Sequence, residues 1–142
     1  MNDRDRFVDY LLRYVGTPYL IGGDDPMTGF DCSGLVVEGL QAVGKIRHGS
    51  DYTADGLYQL FRAKVVGLAF SASTPGCLNL YLDGAGKATH VEASIGEGRI
   101  LGAIGGGFKT LTLGDAVKSN AFVKIRPVGY RGGPSVAIDP FQ

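Results

Sequence analysis

The feature that most constrains this chain is a change of period near residue 64. Before it, apolar residues recur at helical spacing: Phe7, Val8, Leu11, Leu12, Tyr14 and Val15, then Leu35, Val36, Leu40 and Val43, then Leu57, Leu60 and Phe61. After it come short apolar runs bounded by Gly, Pro and Asp: Val65–Phe70, Cys77–Leu82, His90–Ile95, Arg99–Ile104, Phe108–Leu113 and Phe122–Ile125. Helices first and strands second predict an α+β fold, with N-terminal helices packed on a C-terminal antiparallel sheet of about five to six strands. Asp3 is placed to cap the first helix, and Gly16 and Pro18 to stop it. The polar stretch Gly22 to Gly29 reads as irregular loop. The second helix should begin near Asp31 or Cys32 and run to Gly44, and the third should cover Thr53 to Ala63. Tyr130 to Gln142 reads as an extended closing segment.

Composition narrows the function classes. At 142 residues the chain is expected to be a single domain, 1–142, able to bury a core without disulfide staples. Lys and Arg number 14 and Asp and Glu 14, so the net charge is zero, with no long run of one sign. A generic electrostatic grip on nucleic acid or on an anionic membrane is not expected. No apolar run approaches the roughly 18 residues that span a bilayer. Glycine, at 23 of 142, is scattered without a three-residue period, which excludes collagen and favours a turn-rich domain. Gly105-Gly106-Gly107 lacks a following Gly-Lys-Ser/Thr, so it reads as a tight turn or a close backbone approach to substrate rather than a phosphate cradle. Lys118, Lys124, Arg126 and Arg131 are dispersed and read as a solvated face. Tyr52, Tyr58 and Phe61 read as core or groove lining. No cofactor is expected, and two histidines, His48 and His90, are too few for a zinc site unless other side chains join them.

The chemistry concentrates at Phe30-Asp31-Cys32-Ser33-Gly34, between a glycine-rich loop and an apolar helix. A cysteine in the first turn of a helix feels unpaired N–H groups and the positive end of the dipole, and both favour the nucleophilic thiolate. Cys77 lies inside an apolar run, where burial keeps a thiol neutral. Two cysteines are also compatible with two buried thiols or one disulfide. A thiolate needs a nearby base, and His90, opening the run Thr89-His90-Val91-Glu92, is presented at a strand end. His48 lies in a polar loop and is the fallback.

Gly16-Thr17-Pro18-Tyr19-Leu20-Ile21-Gly22-Gly23 followed by Gly29-Phe30-Asp31-Cys32-Ser33-Gly34-Leu35-Val36 resembles the NlpC-type family of papain-like cell-wall cysteine peptidases. Thr74-Pro75-Gly76, Thr89-His90-Val91 and Gly96-Glu97-Gly98-Arg99 resemble that family's second half, so the motif order covers most of residues 4–126. The resemblance implies a papain-like fold and a cysteine endopeptidase or amidase acting on peptidoglycan stem peptides, typically between the γ-carboxyl of D-glutamate and diaminopimelate. It implies Cys32 as nucleophile, His90 as base, and Tyr19, Asp31 and Ser33 in the substrate pocket. The residues suit those roles: a carboxylate at Asp31 can hold a free amine, and the Cys32 N–H with the Tyr19 hydroxyl can stabilise an oxyanion. Asp31 also suits a helix cap.

This chain departs from the family's pattern in two places. Where many members carry an aspartate after Pro-Gly, it has Cys77. The polar residue that orients the histidine commonly lies about twelve positions after it, and that position here is Gly102. A backbone carbonyl from Gly102 to Gly107, or Glu92 on the same strand face as His90, is the available substitute, and the third role stays unassigned. The charged start carries no signal-peptide core, so the expectation is synthesis in the cytoplasm and action in the cell wall or periplasm. A phage-encoded, virion-associated protein with a phage-tail partner fits that route. The alternatives are a secreted interbacterial amidase toxin with an immunity-protein partner, and a tail module that kept the fold and lost activity.

Overall fold

Asn2, rather than Asp3, starts the first helix: its side chain accepts from the Asp5 N–H at 2.8 Å, and α1 runs from Asp3 to Leu12. The computed structural model describes residues 1–25 and 29–142. Helix α1 buries Phe7 and Leu11, one turn apart, and ends before Val15 because Leu12 and Val15 find nothing to cover them. The chain turns instead, and the Gly16 N–H bonds the Val123 carbonyl at 2.8 Å. The predicted loop from Gly22 is partly regular. Asp24–Asp25 (β1) pairs antiparallel with Gly29–Phe30 (β2) in a small ribbon, and Pro26–Thr28 lie outside the described residues.

Helix α2 (Cys32–Ala42) begins at the Asp31 cap and buries Leu35, Val36, Val37 and Leu40, so it is covered on most of its circumference. Helix α3 (Ala54–Leu60), capped by Thr53, buries Leu57 but leaves Leu60 half-exposed, and a 3₁₀ turn follows at Arg62–Lys64. Of the predicted strand Val65–Phe70, only Val65–Val66 (β3) is extended. The remainder enters α4 (Leu68–Ser73), whose Ser71 hydroxyl donates to the buried Asn79 at 2.7 Å. A short apolar run serves either structure, and here burial of Ser71 on β4 decides it.

The main sheet is built from β3, β4 (Leu78–Leu82), β5 (Ala88–Gly96), β6 (Arg99–Ile104), β7 (Phe122–Pro127) and β8 (Ser135–Ile138), in the order β3-β8-β4-β5-β6-β7. Every neighbouring pair is antiparallel. The architecture is therefore the expected α+β arrangement, with α2, α3 and α4 against β5. The predicted strand Phe108–Leu113 does not form. Phe108 and Leu111 are exposed, and Thr112 with Asp115 makes a capping box that starts α5 (Leu113–Ser119). Of the closing segment Tyr130 to Gln142, predicted to be extended, only Ser135–Ile138 is a strand, and it lies inside the sheet: β8 sits between β3 and β4.

Among the described residues no helix is long and apolar enough to cross a membrane. The two ends of the chain are joined by one ion pair, Arg4 Nη2 to the buried Asp139 Oδ2 at 2.8 Å, with Arg4 Nη1 also donating to the Pro75 carbonyl at 3.0 Å. Arg4→Met strips a buried carboxylate of its cation and is expected to destabilise the fold by about 2 kcal/mol, read as a lower urea midpoint at unchanged slope.

Candidate active site

The site is assembled at the start of α2. The Asp31 carboxylate accepts from the Gly34 N–H at 2.7 Å, the Gly22 N–H at 2.9 Å and the Ser33 hydroxyl at 3.3 Å. The helix-cap role weighed for Asp31 is thus what its oxygens do. Burial raises the Asp31 carboxyl above its usual range, and these three donors offset part of that rise. The loop lies so close over the helix start that a Cβ on Gly34 would meet the Gly23 carbonyl oxygen at 1.9 Å. Cys32 is therefore locked as the first residue of α2, half-buried and not in a disulfide. Its thiol therefore stands in the first turn, at the positive end of the helix.

Tyr19 is held beside Cys32 by backbone. It bridges to Phe30, and its N–H bonds the Ala121 carbonyl at 3.0 Å. Its ring fills the space over Gly106, where a Cβ would lie 2.0 Å from the ring. The triple glycine is thus a close approach of backbone, as expected, but to Tyr19. Burial, with the charges of Cys32 and Asp31, pushes the Tyr19 phenol up to about 12, so it is a hydroxyl donor at neutral pH.

His90 comes from β5. Period-two alternation sends Val91 and Ala93 into the hydrophobic core and puts Glu92 on the face of His90. His90 Nε2 lies 2.9 Å from Glu92 Oε2, with His90 6% and Glu92 0% exposed. Burial by itself would lower the imidazole pKa, but hydrogen bonding and charge from Cys32 and Glu92 outweigh it and raise His90 above its ordinary value of 6.5. One ring nitrogen is spent on Glu92, which leaves Nδ1 for the thiol side.

His48 is exposed in the loop after α2 and is not brought to Cys32. Cys77 is a free, buried thiol, raised by burial and lying beside Arg4, Asp139 and Ser71. Gly102 is buried on β6 and contributes no side chain to His90.

Two residues were missed by reading the sequence. Arg131, placed there on a solvated face, lines the cleft, and its guanidinium sits 5.4 Å from the Tyr81 ring centre. That ring is in turn 5.8 Å from the His90 ring. Tyr130, read as part of the tail, donates its hydroxyl to Glu92 Oε2. No local pattern signals either contact, because both depend on the loop after β7 folding back across β4 and β5.

Between these walls lies a cleft of about 440 Å³, with Tyr19, Asp31, Cys32 and Ser33 on one side and Thr89 and His90 on the other. Lys87, Phe108 and Arg131 also line it. Among the described residues no group of three His, Cys, Asp or Glu side chains is arranged to hold a metal.

A family model described as NlpC/P60 family matches residues 16–126. In Escherichia coli (strain K12), the protein named murein DD-endopeptidase MepH is 37% identical over 92 residues, 64% of this chain and 32% of that protein. The chain thus spans about a third of the length of this curated relative. The solved NlpC/p60 domain of the peptidoglycan hydrolase SagA is 25% identical with a TM-score of 0.67, covering 98% of this chain and 99% of that one. The P60 domain of an antigen from M. avium subspecies paratuberculosis is 22% identical with a TM-score of 0.73, covering 99% and 96%, and supports the fold. The family match takes in the start of α2 and the histidine strand alike, and the chain belongs to the NlpC/P60 family.

Proposed function

We propose that the protein is a cysteine peptidase or amidase that hydrolyses an amide bond in peptidoglycan stem peptides, with Cys32 as nucleophile and His90 as acid and base. The observation that carries this reading is the buried imidazole between two acidic partners, the Cys32 thiol and the Glu92 carboxylate, at the mouth of a cleft. Membership of the NlpC/P60 family and likeness to proteins named as peptidoglycan hydrolases supply the substrate class.

The proposed chemistry uses groups already in place. Proton transfer from Cys32 to His90 leaves a thiolate at the positive end of α2. The thiolate attacks the scissile carbonyl, and the new oxyanion is met by the Cys32 N–H and the Tyr19 hydroxyl. His90 gives its proton to the departing amine, which leaves a thioester. A water molecule, deprotonated by His90, then releases the acid and restores the thiol. The Asp31 carboxyl stands on the cleft wall beside Ser33, where a stem-peptide amine can approach it.

An inactive module is the reading that the missing side chain at Gly102 would favour; the His90–Glu92 contact supports the active one. Delivery by a phage particle, with a tail partner, belongs to the same reading, and a secreted interbacterial amidase toxin is the alternative to it. The bond cut is proposed to be the D-γ-glutamyl–diaminopimelate amide. The E. coli relative is named as a DD-endopeptidase, so the DD cross-link is the second candidate.

Digestion of purified diaminopimelate-type peptidoglycan, read by mass spectrometry, tests the reading. The wild type is expected to release fragments whose masses name the bond, and Cys32→Ala to release none. Absence of release by the wild type from both intact wall and isolated stem peptides rejects it.

Activity should also depend on pH in a defined direction. Leaving-group protonation needs the imidazolium, so kcat/KM falls as pH rises through the His90 midpoint, and that alkaline limb should lie above pH 6.5. Because the folded midpoint exceeds the unfolded one, the stability that His90 contributes is complete below about pH 6.5 and is lost as pH rises through the folded value. Urea midpoints across that range should decline accordingly.

A further inference from the structure

Glu92 is the least expected side chain in the sheet. It is fully buried, Oε1 has no hydrogen-bond partner among the described residues, and Oε2 takes the contacts with His90 and Tyr130, with the Tyr81 hydroxyl also close to the carboxylate. A buried carboxylate with one oxygen uncompensated costs stability, so packing alone does not explain it. Two donors converge on Oε2: His90 Nε2 at 2.9 Å along the strand, and the Tyr130 hydroxyl from the loop between β7 and β8. Donation from the ring to Oε2 corresponds to the His90 tautomer with its proton on Nε2, which leaves Nδ1 to exchange a proton.

The neighbouring strand is shaped to admit this carboxylate. Register carries on from Ala93 opposite Leu101, which puts Gly102 beside Glu92. A Cβ on Gly102 would lie 3.2 Å from Glu92 Cγ, closer than ordinary packing allows. The bare position on β6 is thus the space Glu92 occupies. Tyr130 comes from residues beyond the 16–126 family match, so part of the support reaches the site from outside the segment that defines the family.

We propose that Glu92, held by the Tyr130 hydroxyl and accommodated by Gly102, is the positioning residue that orients His90 and stabilises its imidazolium. The inference rests on the Cys32–His90 reading of the site. It assigns the third role to Glu92, one of the two substitutes the sequence offers, rather than to a backbone carbonyl from Gly102 to Gly107. The titratable and charged groups around the pair are Cys32 from α2, Tyr81 from β4, and Tyr130 and Arg131 from the loop after β7. Among them Glu92 is the carboxylate in hydrogen-bond contact with the ring.

The test is the titration of His90, followed through its imidazole carbon shifts by NMR, with His48→Gln used to assign the two histidines. Glu92→Gln keeps the shape and an acceptor oxygen but removes the charge. It is expected to lower the His90 midpoint by about one pH unit, with the alkaline limb of kcat/KM moving down by the same amount. It should reduce kcat by about 10- to 100-fold, with KM little changed. A folded Glu92→Gln protein whose His90 titration and kcat match the wild type overturns the proposal. So does one that only melts earlier, because a structural role would not move the titration. If Glu92→Gln does not fold, Glu92→Asp retracts the charge by one methylene and is expected to lower both midpoint and kcat in part; no change in either overturns the proposal. Iodoacetamide separates the two layers of inference. A wild-type Cys32 that reacts no faster at neutral pH than free cysteine defeats the Cys32–His90 reading itself, whatever Glu92 does.

Discussion

The capping of α2 by Asp31 is the constraint on which the rest of the site depends. One carboxylate gathers the Gly34 and Gly22 N–H groups, so it both starts the helix and pins the preceding loop across it. Cys32 is thereby fixed in its backbone as the first residue of the helix. The same loop carries Tyr19, whose bridge to Phe30 sets the phenol beside the sulfur. A charge that only capped a helix would contribute about 1 kcal/mol. Here it also holds the loop that carries Tyr19 against the helix start, and so builds one wall of the cleft.

Facing that helix, the sheet carries polar groups where apolar ones would pack at lower cost. His90, Glu92 and Ser94 alternate with Val91 and Ala93, so β5 serves the core on one face and a polar line on the other. Tyr81 and Tyr130 close over the line, and Arg131 lies on Tyr81. Glu92 is thereby closed off from water, which strengthens the contact it makes with the imidazole. The orphan oxygen of Glu92 is the cost of that arrangement. A protein selected for stability alone would have little reason to retain it.

Much of this was legible in the chain. Helical and strand periods gave the α+β class, and the helix start at Asp31-Cys32 and the strand at His90 lie where spacing put them. The errors fell on short segments. Val65–Phe70 and Phe108–Leu113 are apolar enough for strands, but Ser71 and the Thr112–Asp115 box make helices of their continuations. Leu12 and Val15 continue a helical pattern that the helix itself abandons, because a period says nothing about whether a neighbour exists to bury it. Arg131 is exposed, as its dispersed charge suggests, but spacing along the chain could not show that it lies on Tyr81 at the cleft.

What the sequence by itself determined is everything carried by near neighbours along the chain. That covers the cap and the thiol behind it, the alternation that places Glu92 on the face of His90, and the motif order that marks the family. What only the tertiary structure decided is which side chains meet across long separations. Arg4 reaches Asp139, Gly106 yields its space to Tyr19, Gly102 yields its own to Glu92, and Tyr130 reaches back 38 positions to the same carboxylate. The physical reason is one of range. Dihedral preference and side-chain period act over a few residues, whereas strand order and loop return set every longer contact. A glycine's missing Cβ acquires meaning only from whatever fills its place.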